Sequence, residues 1–180
     1  MIKAIVYHTK TGYTERYAKI LSERTGLPCY NMNEALGQFG KNDEVIFMGN
    51  IMTGTVKGYK KAHRNFKTCF VVGVGISYPT NEIKEDVRDR TDIVDEPFYL
   101  LRGGIDYKKI SKFKGFFLKK MAEIANAGRE KGEDHQHDQE TIDILMEGGD
   151  YFNPEYLQPV VDWYNQHKDE NFIRNRAVLN

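Results

Sequence analysis

The residues best placed to do chemistry lie near the start of the chain, in Tyr7-His8-Thr9-Lys10-Thr11-Gly12-Tyr13-Thr14, between a short apolar run and a stretch of helical period. Where a strand turns into a helix, the unpaired backbone N–H groups and the helix dipole favour an anion. The hydroxyls of Thr9, Thr11 and Thr14 each offer a hydrogen bond to a phosphate oxygen, and Gly12 lacks the Cβ that would block close backbone approach. This is a phosphate cradle that needs no cation. Two further stretches, Gly49-Asn50-Ile51-Met52-Thr53-Gly54 and Gly75-Ile76-Ser77-Tyr78-Pro79-Thr80, each follow an apolar run and read as loops. Other signals point away from chemistry. His135-x-His137, with Asp134 and Asp138 beside it, lacks a second ligand cluster and reads as a solvated polar loop. Gly73-Val74-Gly75 has no third glycine opening a helix, so it is not a dinucleotide fingerprint. No side chain reads as an indispensable general acid or base, and neither a catalytic residue nor a metal ligand is assigned.

The elements that must position these residues follow from periodicity. Apolar runs at Ile2 to Tyr7, Glu44 to Met48, Cys69 to Val74 and Pro97 to Leu101, with a weaker one at Pro28 to Met32, read as strands, the four strong ones covered on both faces. Helices are expected at Tyr13 to Arg24, Val56 to Asn65 and Thr80 to Arg90, the last with Thr80 as its N-cap. Strand alternating with helix predicts right-handed crossovers and an α/β doubly wound, three-layer fold: a five-stranded parallel sheet with helices on both faces. A long helix is expected from Lys108 to Ala127, with Ile110, Phe113, Phe117, Met121 and Ile124 on one face, then a polar loop from Arg129 to Asp138. Asn153 as cap and Pro154 at the first helical position announce a final helix, in which Pro159 predicts a kink or a restart. The expected organisation is a single domain over 1–167 with a C-terminal tail over 168–180.

In a doubly wound sheet the ligand sits over the carboxyl ends of the strands at the point where strand order reverses. At this point the sequence resembles the flavodoxins, whose phosphate loop reads Thr/Ser-x-Thr-Gly-x-Thr directly after the first strand; Thr9-Lys10-Thr11-Gly12-Tyr13-Thr14 matches every defined position. The resemblance implies a strand order of 2-1-3-4-5, counting the five strands along the chain, and FMN as cofactor. It implies a phosphate held by Thr9, Lys10, Thr11, Gly12, Tyr13 and Thr14. The isoalloxazine ring then lies between Asn50, Ile51, Met52, Thr53 and Gly54 on one side and Ile76, Ser77 and Tyr78 on the other. Tyr78 is the candidate for stacking on the ring, with Ile51 or Met52 on its other face. Glycines at 49 and 54 would let the peptide there change orientation with redox state. A finer similarity covers Leu100 to Phe113, which is similar to the menaquinone-dependent protoporphyrinogen oxidase-like flavodoxins, whose fifth strand runs through a Gly turn into a basic, Phe-rich helix. Gly148-Gly149-Asp150-Tyr151-Phe152-Asn153-Pro154 has no counterpart in those oxidases.

Composition bounds the rest. The 180 residues carry 26 Lys+Arg against 26 Asp+Glu, with 40% hydrophobic and 12% aromatic residues, so the chain is neither disordered nor a bulk-charge nucleic-acid binder. No apolar run approaches the ~18 residues of a membrane span, the first residues lack a signal-peptide pattern, and a cytoplasmic location is expected. Cys29 and Cys69 fall on the second and fourth strands, which are not neighbours in that order, so no disulfide is expected. A phosphorylated receiver domain needs an acid after the third strand, where this chain has Met48-Gly49-Asn50, and a low-molecular-weight phosphatase needs a Cys and an Arg in the first loop. Three readings stay open: an FMN-binding electron carrier, an oxidoreductase of the protoporphyrinogen oxidase or quinone type, and a flavin-free binding module. The expected partner is a redox protein or a small-molecule electron acceptor. The helix of Lys108, Lys109, Lys112, Lys114, Lys119 and Lys120 with its Phe stripe either covers the sheet or docks peripherally on a membrane surface or an acidic partner.

Overall fold

A computed structural model of the chain describes residues 1–107 and 136–169. Ala4–His8 (β1), Cys29–Asn31 (β2), Glu44–Met52 (β3), Lys67–Gly75 (β5) and Phe98–Arg102 (β6) form one parallel sheet in the order β2-β1-β3-β5-β6, with Thr55–Val56 (β4) pairing antiparallel to β3. Counted without β4, this is the expected order 2-1-3-4-5 of a flavodoxin-like α/β fold. Order reverses between β1 and β3, where the register pairs Tyr7 with Met48 and His8 with Gly49.

Both faces of the sheet are covered, which is why its central strands are apolar at consecutive positions rather than alternate ones. Ile5, Ile46, Met48, Val72 and Leu101 meet Tyr17, Ala18 and Leu21 of Tyr13–Thr25 (α1) and Val160 and Val161 of the last helix. Val6, Val45, Phe47, Val71 and Leu100 meet Tyr59 and Ala62 of Tyr59–Asn65 (α3) and Val87 of Asn81–Thr91 (α4). Thr80 caps α4 as expected, its hydroxyl accepting from Ile83 N at 3.2 Å. A short helix at Met32–Leu36 (α2), closed by an Asn31/Glu34 capping box, was not read from the sequence; five residues are too few to show a period.

Three boundaries correct the sequence reading. The third strand runs four residues beyond Met48, because Thr53 and Gly54 turn it back as a tight hairpin with φ of 53° and 69°. Val56 therefore belongs to β4, and the helix expected from Val56 begins at Tyr59. Gln136 to Asp138, read as loop, lie in Gln136–Glu147 (α5). The final helix does restart at its proline: a 3₁₀ turn at Pro154–Leu157, capped by Asn153, passes into Gln158–His167 (α6). The expected helix from Lys108 to Ala127, His135, and residues 170–180 lie outside the described residues. Among those described, no helix is long and apolar enough to cross a membrane.

Candidate functional site

The Thr-rich loop occupies the carboxyl end of β1 and opens α1. Gly12 is the N-cap residue in the left-handed region (φ 88°), and no side chain caps the helix. Its N–H donates to Thr9 Oγ1 at 3.0 Å and its carbonyl accepts from Arg16 N at 3.0 Å, which closes the turn and leaves the first-turn N–H groups directed outward. A Cβ at Gly12 would meet nothing within 4 Å, so the space in front of the loop is open. Thr14 is only 1% exposed, and its Oγ1 has no hydrogen-bond partner among the described residues. An unmade hydrogen bond on a buried hydroxyl costs about 1–3 kcal/mol. A ligand oxygen in the open space would meet the helix N–H groups, and one that displaces the loop inward would satisfy the buried hydroxyl as well. Lys10 is exposed, and the charged side chains beside the loop include Arg16, Asp106 and Asp150.

Asn50, Ile51 and Met52 are strand residues, not loop residues. Asn50 carbonyl accepts from Lys57 N at 2.9 Å across the hairpin, and Asn50 Oδ1 lies 3.0 Å from His8 Nδ1. Ile51 packs on the fourth parallel strand: a Cβ on Gly73 or Gly75 would fall 3.0 and 3.2 Å from its Cδ1. The Gly-x-Gly there makes room for Ile51. Gly49 is likewise a packing residue, since a Cβ would stand 2.6 Å from Lys57 O and from Val56 Cγ1. Gly49 also pairs with His8 of β1 and with Gly73 of β5, and this two-sided pairing holds its peptide in the sheet against the reorientation expected at 49. Met52, at 38%, and Tyr78, at 40%, are exposed on the carboxyl rim, open to a planar group.

The sequence reading missed the residues that close the other side. Arg102, at the end of β6, is buried, its Nε donating to Ile76 O at 3.5 Å and its guanidinium lying 5.5 Å from the Tyr78 ring and 4.0 Å from the Tyr151 ring. Gly104–Ile105 (β7) pairs antiparallel with Gly149–Asp150 (β8), and Arg16 reaches Asp150 at 3.1 Å and the Phe152 ring at 3.8 Å. Thr11, Gly12, Tyr13, Arg16, Asp106 and Asp150 line a depression of about 300 Å³. Burial, with Asp150 adding to it, raises the Tyr13 phenol above its ordinary range. The stretch from Gly148 to Pro154 is thus the segment that folds back over α1. Its two glycines before a polar and aromatic run were the available signal.

No protein-family model matches the chain, and no curated protein matches it. Among solved structures, the flavodoxin, WrbA-like protein from Agrobacterium tumefaciens aligns over 51% of this chain and 69% of its own, at 16% identity and a TM-score of 0.35. At that level the likeness carries no argument, and the fold assignment rests on strand order and layering.

Proposed function

We propose that this protein binds FMN and transfers electrons through it. The observation that carries the reading is the buried, unpartnered Thr14 hydroxyl under an open, left-handed Gly12, at the carboxyl end of β1 where sheet order reverses. Thr9, Lys10, Thr11, Gly12, Tyr13 and Thr14 would hold the phosphate; Asn50, Met52, Thr53 and Gly54 would face the ring from one side, with Ile51 packed over Gly73 and Gly75 behind them, and Ile76, Ser77 and Tyr78 from the other. When bound, FMN supplies one- and two-electron chemistry. The chain supplies position and field. The loop offers its anion N–H and O–H dipoles, while Lys10 is exposed and Arg16 beside it is engaged by Asp150, so the phosphate charge is only weakly compensated and disfavours further negative charge nearby. Low potentials are the expected result. A redox protein or a small-molecule acceptor is the matching partner.

The test is a fluorescence titration of FMN with the purified protein, where quenching at micromolar concentration is expected. Replacing Thr11 and Thr14 together by Val should weaken binding by roughly 3 kcal/mol through lost hydrogen bonds to a charged group. Unquenched FMN overturns the reading; unchanged affinity in the double variant moves the phosphate elsewhere. In a redox titration, two separated one-electron waves support a carrier, and a single two-electron wave counts against one.

A further inference from the structure

We infer that His8 is a positioning residue that fixes the side-chain amide of Asn50 with its N–H groups turned to the ligand; this rests on the flavin reading above. His8 ends β1 and pairs with Gly49 of β3, so its ring and Asn50 flank the point where sheet order reverses. His8 Nδ1 and Asn50 Oδ1 are 3.0 Å apart. An amide oxygen only accepts, so Nδ1 carries the hydrogen and donates, which sets the ring's tautomer and consumes the oxygen end of the amide. Asn50 Nδ2, with two donors, is left for other partners.

Three observations show that this arrangement is built. First, both residues stand at the carboxyl end of the sheet, His8 directly before the Thr-rich loop and Asn50 directly after the Gly49 that pairs with His8. Second, the Asn50 main-chain carbonyl is taken by Lys57 N, so the side chain is what this residue has to offer a ligand. Third, the imidazole has a slot made for it. Gly58 adopts φ +86°, and a Cβ there would come within 2.9 Å of His8 Cβ and 3.1 Å of His8 Cγ. The nearby Lys57 ammonium is held by the hydroxyls of Thr53 at 3.3 Å and Thr55 at 2.7 Å, which leaves the pair uncontested.

The consequence is selective. Set against the central ring nitrogen, this donor would be accepted by an oxidised flavin, whose nitrogen there carries no hydrogen, and would find no acceptor at that atom once reduction has placed a hydrogen on it. His8 thereby favours the oxidised form and lowers the potential. In His8→Ala the amide is free to turn and accept.

The test has two arms on the full chain. In ¹⁵N-labelled protein without FMN, long-range proton–nitrogen spectra should show His8 protonated at Nδ1 and bare at Nε2 near neutral pH; the opposite tautomer overturns the inference whether or not FMN binds. With FMN as probe, His8→Ala should bind the oxidised form about tenfold more weakly, and the two-electron midpoint should rise by about 30 mV, the equivalent of that tenfold preference. His8→Gln keeps a donor and should restore most of both. Equal affinity in wild type and His8→Ala, an unmoved midpoint, or failure of Gln to rescue each overturns the inference alone. A wild type that leaves FMN unquenched overturns the flavin reading itself.

Discussion

Thr14 separates what a residue does for folding from what it does for a ligand. Its hydroxyl is buried without a partner, so replacing it by a methyl of the same shape removes a desolvation cost and no hydrogen bond. Thr14→Val should therefore melt at or slightly above the wild-type temperature without ligand, while FMN affinity falls by about 1.5–3 kcal/mol, the range for a bond to a charged group. Calorimetry and titration on the same preparation check both halves. A variant that melts lower would mean the hydroxyl already has a structural partner. The identity of this residue was legible in Thr9-Lys10-Thr11-Gly12-Tyr13-Thr14, because the spacing of donors along a loop is a property of the chain. Arg102 was not legible. Its place beside Tyr78 and Tyr151 depends on contacts across about 25 and about 50 residues of sequence, and nothing local marks it.

At the scale of elements, the link that matters joins α1 to the segment after α5. Tyr17 is fully buried, its hydroxyl donates to Arg102 O at 2.6 Å, and it accepts from Asn153 N at 3.1 Å. Burial pushes its phenol up to about 12, so it stays a neutral donor at any working pH. One hydroxyl thus fastens the end of β6 and the cap of the last helical segment to α1, with the Phe152 ring packed 4.4 Å from its own. Tyr17→Phe keeps the ring and strands both backbone groups, a loss of about 2–4 kcal/mol. Urea unfolding measures the loss, and hydrogen exchange should show it concentrated in Asn153–His167; protection lost evenly over the chain would contradict the assignment. Elements themselves were unequally legible. Strands with continuous apolar faces and a Thr-capped helix announce themselves, whereas the hairpin at Thr53-Gly54 lacks the Asn-Gly signal of a two-residue turn and was read as an open loop.

At the scale of the whole molecule, two buried carboxylates among the described residues are held at the amino ends of the strands. At the amino edge, Glu44 is buried and bound by Lys67 at 2.7 Å and by the Met1 amino group, while buried Glu96 accepts from Thr68 at 2.8 Å and lies 2.9 Å from His63 Nδ1. Burial opposes both charges, yet these bonds hold both carboxyls below the ordinary glutamate range. A carboxyl lowered in the folded state binds fewer protons folded than unfolded, so its stabilisation is complete above the unfolded value, roughly 4.3, and is lost as pH falls through the folded one. Stability should be level on this account from neutral pH to about 5 and fall below roughly 4.3. Glu96→Gln should be less stable at pH 7 by about 1–3 kcal/mol, with the gap closing as the pH drops below 4. Urea unfolding at stepped pH checks this; a gap that stays constant refutes it. Because these groups sit at the edge opposite the Thr-rich loop, the acid response belongs to the scaffold and not to the site. The sequence by itself determined the parallel α/β scaffold and the donor-rich loop at the end of its first strand, since hydrophobic period and donor spacing are local. Only the tertiary structure decided which residues stand around that loop. His8 against Asn50, Arg102 between two tyrosines and the return of Gly149 to Asn153 over α1 all join segments distant in sequence, and it is packing, not local preference, that brings them together.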